Sequence, residues 1–286
     1  MTYIVHGATG AQGSPVLAAL RAAGKRAIAA VRHTGDLADR GDAVAVDLAD
    51  AESLTAAYTG ADGVFVHLPL GAPGQGSAQA EAVAAAVATA RPQRVVISTS
   101  GQIVDQPGTL LQAADDSPIV TLIRKVTDTG VSTAVVTPRL YLENLLLPVV
   151  AGPAREDGVL RYPLPEVFPV SWSSHLDVAE VVVRLLTDTS VTGTVAVGHL
   201  PGLTGPDLAT AFAEHLGRDV RFEAITPDMF GDLITPMFGP AAAPVVGLYQ
   251  ALNTQNGNTI GEDNSAQKAL GLFPRPVTRW LADLGV

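Results

Sequence analysis

Three glycines spaced three apart, Gly7, Gly10 and Gly13 in HGATGAQGSP, follow the apolar run Thr2–Val5. They precede a helical pattern over Ser14–Ala23, in which Val16, Leu17 and Leu20 recur on one face. Between a strand and a helix, such glycines permit a tight turn and let the backbone approach a pyrophosphate. Exposed N–H groups and the positive end of the helix dipole supply the attraction. The spacing alone also fits an ordinary βα turn, so its meaning depends on the sheet that follows.

The second apolar run, Ala27–Val31, leads into Arg32-His33-Thr34. No carboxylate stands where an NAD site places the acid that bonds the ribose 2'-hydroxyl. A guanidinium there suits a 2'-phosphate, so NADP(H) is the expected cofactor, with a solvated strand-end charge as the plainer alternative for Arg32. Asp47, in VAVDLAD after the third run, is placed to meet the adenine amino group, with Leu48 beside the base. A helix cap is the competing role for Asp47. His67-Leu68-Pro69 and Ser98-Thr99-Ser100 follow the fourth and fifth runs, at the carboxyl edge where open α/β sheets bind ligands.

The proton donor is harder to find. None of Tyr3, Tyr58, Tyr141, Tyr162 and Tyr249 has Lys four residues later, the spacing at which an ammonium lowers a phenol pKa on one helix face. Tyr141, three residues past Pro138, and His67 are the candidate catalytic residues; each also has a plain structural role, as packing aromatic and as a histidine bonded to backbone. His175 two residues before Asp177 resembles an acid pair, but Asp177 is expected to cap a helix beginning at Val178. Ser98 and Ser100 lack a GxSxG setting. Without cysteine, and with six scattered histidines, no metal site is expected.

The elements that must position these residues read as β and α in alternation. Short apolar runs at Thr2–Val5, Ala27–Val31, Val44–Val46, Val64–Val66, Val95–Ile97 and Ala134–Val136 are separated by helical patterns at Ser53–Tyr58, Ala78–Ala90 and Ile119–Thr129. Strands apolar on both faces predict an α/β fold, a doubly wound, mostly parallel Rossmann sheet. From about residue 150, Gly152-Pro153, Tyr162-Pro163, Pro165 and Pro169 interrupt regular structure. Residues 1–150 are therefore expected to form the NADP-binding domain, whose sheet can recruit later segments, and 151–286 a smaller α+β substrate region. In the latter, a helix at Val178–Leu186, a strand near Val195, a helix at Pro206–Leu216 and a strand at Val220–Glu223 are expected. Asn253–Asn264 reads as a mobile loop, either a solvated connector or a lid.

The 286 residues carry 18 Lys plus Arg against 28 Asp plus Glu, a net charge of -10 that disfavours nucleic acid or an anionic membrane as partner. No uninterrupted apolar run reaches the length of a membrane span, and no basic stretch precedes an apolar run at the start, so a cytoplasmic protein with a small-molecule substrate is expected. Homo-oligomerisation is left open.

The motifs GATGAQG, VR at 31–32, VDLAD at 46–50, GADGVFVHLP at 60–69, TPRLYLENLL at 137–146, HLDVAEVVVRLLTD at 175–188 and LTGPDLATAFAEHLGRDVRF at 203–222 resemble the NmrA-like group of atypical short-chain dehydrogenases and reductases. The resemblance implies that Gly7, Thr9, Gly10, Ala11, Gln12, Gly13, Arg32, Asp47 and Leu48 line the cofactor. Leu68, Pro69 and Ser98 would follow it toward the nicotinamide, and Pro138 would pass near its end. The group includes reductases of quinones and other small electrophiles as well as redox-sensing regulators. Hydride delivered to a quinone creates a phenolate-like anion, which needs no strong acid, so the missing Tyr and Lys pair directs the reading to quinones or conjugated enones. An NADP(H)-sensing partner protein is the alternative, and a redox-neutral enzyme on the same fold a third reading.

Overall fold

A computed structural model describes residues 1–34, 42–69 and 74–285. The chain folds into two compact units: Met1–Pro138 with His175–Ala196 and Asp263–Leu272, and Arg139–Ser174 with Val197–Glu262 and Phe273–Val286. No single cut near residue 150 reproduces this partition, because two later segments return to the first unit.

The first unit is built on a seven-stranded sheet. Its strands are β1 (Thr2–His6), β2 (Arg26–Val31), β3 (Ala43–Ala45), β4 (Gly63–His67), β5 (Arg94–Ser98), β6 (Ser132–Pro138) and β8 (Gly193–Val197), β7 lying in the second unit. They are arranged in the order β3-β2-β1-β4-β5-β6-β8. The pairs from β3 through β6 are parallel, with Ile4 opposite both Ile28 and Val64. Strand order reverses between β1 and β4, the switch point at which doubly wound sheets open a crevice. Ile4, Val5, Val64, Val66, Val95 and Ile97 are almost fully buried, as strands covered on both faces require.

One face is covered by α2 (Ala51–Tyr58), α3 (Gln75–Ala90) and α4 (Pro118–Asp128), whose Leu54, Val83, Val87, Leu122 and Val126 share a core with the strands. On the other, α1 (Gly13–Ala22) packs on α6 (His175–Thr187). The late segment is held there by Arg94, a fully buried side chain. Its guanidinium donates to the Leu185 carbonyl (2.9 Å), to Ser132 Oγ (2.8 Å) and to the Val191 carbonyl. A buried charge is tolerable only with its donors satisfied, so this residue ties β5 to the start of β6, the last turn of α6 and the chain just before β8.

In the second unit β7 (Val159–Tyr162) pairs parallel with β9 (Arg221–Ala224). Around them lie α5 (Pro148–Glu156), α7 (Gly205–Leu216), α8 (Pro227–Phe238), α9 (Ala242–Leu252) and α11 (Val277–Leu284), while the short α10 (Ala266–Leu270) belongs to the first unit. The unit's core is aromatic: Tyr162 packs on Trp172, Phe230 and Tyr249 with ring centroids 5.4–5.7 Å apart. Tyr162 and Tyr249 share a hydrogen bond through their hydroxyls, and burial raises both phenols, Tyr249 to about 12.

Three sequence expectations need correction. Gly152-Pro153 does not break regular structure; α5 runs through it, because a proline in the second turn removes only one intrahelical bond. Helix α6 begins at His175 instead of Val178, placing Asp177 inside its first turn, buried. Residues 253–264 form a loop, partly exposed, but an anchored one instead of a mobile one: Asn253 Nδ2 donates to the Pro163 carbonyl, Asn258 is buried, and its backbone pairs with Pro169 and Ser171. The helical run Pro227–Leu252 is long and apolar enough, by length and composition, to cross a membrane. Gly239-Pro240 divides it, and Gln250 Nε2 donates to Asp228 Oδ1 at 2.9 Å, so the two legs fold back on each other. At 12 and 11 residues, each leg spans about 18 Å or less, well short of the ~30 Å of a hydrocarbon core.

Candidate cofactor-binding site

At the switch point the first unit opens a cavity of about 440 Å³, within the range of small-ligand sites. Its floor and rim come from the ends of β1, β2, β3 and β4. Gly7, Thr9 and Gly10 form the loop side; Ala30, Val31 and Arg32 follow β2; Val46, Asp47 and Leu48 follow β3; His67 and Pro69 follow β4; and α3 contributes Gln75 and Gln79.

The loop is folded by two backbone bonds, Gly10 N–H to the Gly7 carbonyl (2.8 Å) and Ser14 N–H to the Gly10 carbonyl (3.0 Å). Its glycines are needed for different reasons. Gly7 has φ +62° and lies flush on the His67 ring: a Cβ there would come 2.3 Å from His67 Nε2. At Gly13 a Cβ would lie 2.2 Å from the Gly7 carbonyl oxygen and 2.5 Å from that of His6, so the start of α1 rests directly on the end of β1. This is the close backbone packing that a phosphate cradle requires.

Ala11, Gln12 and Gly13 complete the turn without lining the cavity. The Gln12 side chain is committed elsewhere: it accepts from Ser98 Oγ at 2.9 Å and donates to Ser100 Oγ at 3.0 Å, while Ser100 N–H donates to Ser98 Oγ at 3.2 Å. Ser98 is fully buried, and Ser100 adopts a left-handed φ of +55°. The network clamps the glycine loop to the end of β5. Leu68 is buried in the core, and Pro138 ends β6.

Arg32 is exposed at the rim and is the one permanent cation on the wall among the described residues. Asp47 accepts the Ala49 N–H through Oδ1 at 2.9 Å, whereas Asp50 caps α2 by accepting from Glu52 and Ser53. Asp47 thus keeps its second carboxylate oxygen for the cavity.

His6 and His67 line the cavity, and His175 lies close to His67. His6 and His175 are driven down to about 3 and about 4, in each case by burial first and by the proximity of His67 second. His67 is also lowered by burial, against a hydrogen bond with the Leu68 backbone. His6 Nε2 lies 2.7 Å from the Tyr58 hydroxyl; burial raises that phenol, so the O–H donates to the neutral ring. His67 Nε2 is buried and has no hydrogen-bond partner among the described residues. Wedged on Gly7 and held neutral, the ring braces the loop.

Tyr141 lies in the second unit, where it precedes the 3-10 turn Leu142–Leu146 and pairs in a bridge with Ser173. In that unit Glu143 accepts from Trp280 Nε1 at 3.3 Å, and Asn144 hydrogen-bonds the Tyr162–Tyr249 pair. His6, Ala30, Val31, Val46, Gln75 and Gln79 are wall residues that the sequence reading did not single out. Position at strand ends could have flagged the first four. The two glutamines, four apart on an alanine-rich helix, show up only once α3 is packed.

A model of the NmrA-like family matches residues 1–280. The chain belongs to that family. Among curated proteins, this NmrA-like chain is 33% identical over 254 residues, 83% of its length, to an NAD(P)H azoreductase of Xenophilus azovorans, covering 82% of that protein. Solved structures bear out the fold. A nucleoside-diphosphate-sugar epimerase from Staphylococcus aureus superposes with TM-score 0.79 at 16% identity, covering 98% of this chain and 99% of that one. An NADPH-dependent quinone oxidoreductase from Escherichia coli, in complex with NADPH, superposes with TM-score 0.75 at 20% identity over the whole of both chains.

Proposed function

We propose that this NmrA-like protein is an NADPH-dependent reductase of small apolar electrophiles such as quinones, azo compounds or conjugated enones. The observation that carries the reading is the cavity at the switch point, where a backbone cradle closed by Gly7 and Gly13 stands beside an exposed guanidinium and, among the described residues, no acid at the end of β2. The azoreductase relative, aligned over 83% of the chain, supports the same chemistry.

The residues fit the cofactor by position and type. Gly7, Thr9 and Gly10 would hold the pyrophosphate, Arg32 the 2'-phosphate, and Val46, Asp47 and Leu48 the adenosine end. When bound, NADPH supplies the hydride. The protein orients the dinucleotide and shields its phosphates in a dry, preorganised loop. Ser98, Gln12 and Ser100 keep that loop in place.

Proton delivery follows from what the chain lacks. No Tyr has Lys four residues on, and His67 is held neutral with Nε2 against Gly7, so no strong side-chain acid is built into the first unit's cavity among the described residues. Acceptors whose reduced form is a stabilised anion, protonated by water, match this arrangement. The second unit is the substrate-recognising region, and Tyr141 its candidate donor.

The test is NADPH oxidation, followed at 340 nm, against a panel of quinones, azo dyes and enones. Turnover with at least one class is expected, and Tyr141→Phe tells whether the phenol donates. Failure over the whole panel by a protein that still binds NADPH tightly would overturn the enzyme reading in favour of a nucleotide sensor.

A further inference from the structure

Helix α3 buries alanines and valines with one exception, Gln79, which is 5% exposed. It lines the switch-point cavity and forms no side-chain hydrogen bond with another described residue. Its amide nitrogen and oxygen are open to the cavity, so they offer one donor group and one acceptor to whatever the cavity holds. The helix packs on α2, which Asp47 and Leu48 just precede, and Gln79, Asp47 and Leu48 line the same cavity.

We propose that Gln79 reads the hydrogen-bonding edge of the adenine. This rests on the NADP(H) assignment above. An adenine edge offers the two N–H donors of its amino group beside a ring-nitrogen acceptor. A carboxamide matches that edge with one acceptor and one donor. Asp47, whose second carboxylate oxygen is uncommitted, takes the remaining amino hydrogen. The base therefore contributes to affinity and selectivity along with the phosphates.

Binding alone tests this, with no substrate needed. Dissociation constants are measured by fluorescence for NADPH, and by calorimetry for adenosine 2',5'-bisphosphate and reduced nicotinamide mononucleotide. Gln79→Met should weaken NADPH and the bisphosphate by about tenfold and leave the mononucleotide unchanged, with a melting temperature no lower than that of the wild type. Gln79→Glu separates recognition from packing. A carboxylate keeps the shape of the amide but has no donor for the adenine ring nitrogen, so NADPH and the bisphosphate should again weaken by about tenfold with the mononucleotide unchanged. Wild-type affinity in Gln79→Met or in Gln79→Glu overturns the proposal while leaving the cofactor assignment intact. A wild-type protein that binds no NADPH overturns both.

Discussion

Replacing Gly13 by alanine tests the cradle most directly. The added methyl would meet the Gly7 carbonyl oxygen at 2.2 Å, the Gly7 carbonyl carbon at 2.3 Å and the His6 carbonyl oxygen at 2.5 Å. All three are backbone atoms and cannot rotate aside. Reaching a tolerable 3.0 Å requires about 0.8 Å of main-chain movement between the end of β1 and the start of α1. Forced overpacking of this kind costs about 1–3 kcal/mol, offset by roughly 1 kcal/mol because alanine favours the helix that Gly13 begins. The net loss is up to about 2 kcal/mol, read as a melting temperature lower by up to several degrees. The same movement displaces the phosphate-binding amides, and a 10- to 100-fold rise in Kd for NADPH corresponds to about 1.4–2.8 kcal/mol. Gly10→Ala is the graded comparison, since only the Gly7 carbonyl oxygen, at 3.3 Å, lies near its Cβ. Gly152→Ala, inside α5 with nothing within 4 Å, is the control and should gain up to about 1 kcal/mol. Gly13→Ala protein that melts and binds NADPH like the wild type would refute the reasoning.

Arg32→Ala should raise the Kd for NADPH by roughly 10- to 100-fold while leaving NADH unchanged, because only the 2'-phosphate loses its charged partner; equal effects on the two nucleotides would dismiss the assignment. In acid, His6 and His175 stay neutral in the folded chain down to about 3 and about 4, whereas the unfolded chain protonates them near 6.5. Their folded pKa values are depressed, so stability is full above pH 6.5 and falls as pH drops below it, by about 1.4 kcal/mol per unit for each histidine. Urea unfolding between pH 6.5 and 5 should show this slope, and His6→Gln should reduce it by one proton; an unaltered slope would contradict the burial argument. Ser98→Ala removes the hydroxyl that Gln12 and the Ser100 N–H share. It should cost about 1–2 kcal/mol and speed amide exchange in the glycine loop, and unchanged exchange would show that the clamp holds nothing.

The strand and helix pattern of the first unit was legible because its strands are buried on both faces and announce themselves as short apolar runs. That the glycine loop, Arg32 and Asp47 line one cavity could be anticipated for a related reason: the carboxyl ends of parallel strands bring fixed sequence positions to one edge of the sheet. Chain order hid the rest. Nothing local to residues 175–196 says that this segment leaves its neighbours to rejoin the first sheet; Arg94, 91 residues before Leu185, decides it by needing three carbonyl or hydroxyl partners in one buried place. The prolines after 150 read as breaks because proline removes a single donor locally, while tertiary packing supplies enough to keep α5 intact around Pro153. Gln79 is an ordinary polar residue on an alanine-rich helix until α2 and the sheet close around it. Sequence by itself determined the glycine turn between β1 and α1 and the guanidinium at the end of β2, since glycine spacing and residue type at a strand end are local chemistry. Tertiary structure alone decided which buried polar groups are left facing the cavity, because burial and hydrogen-bond partnership are properties of distant chain segments brought together.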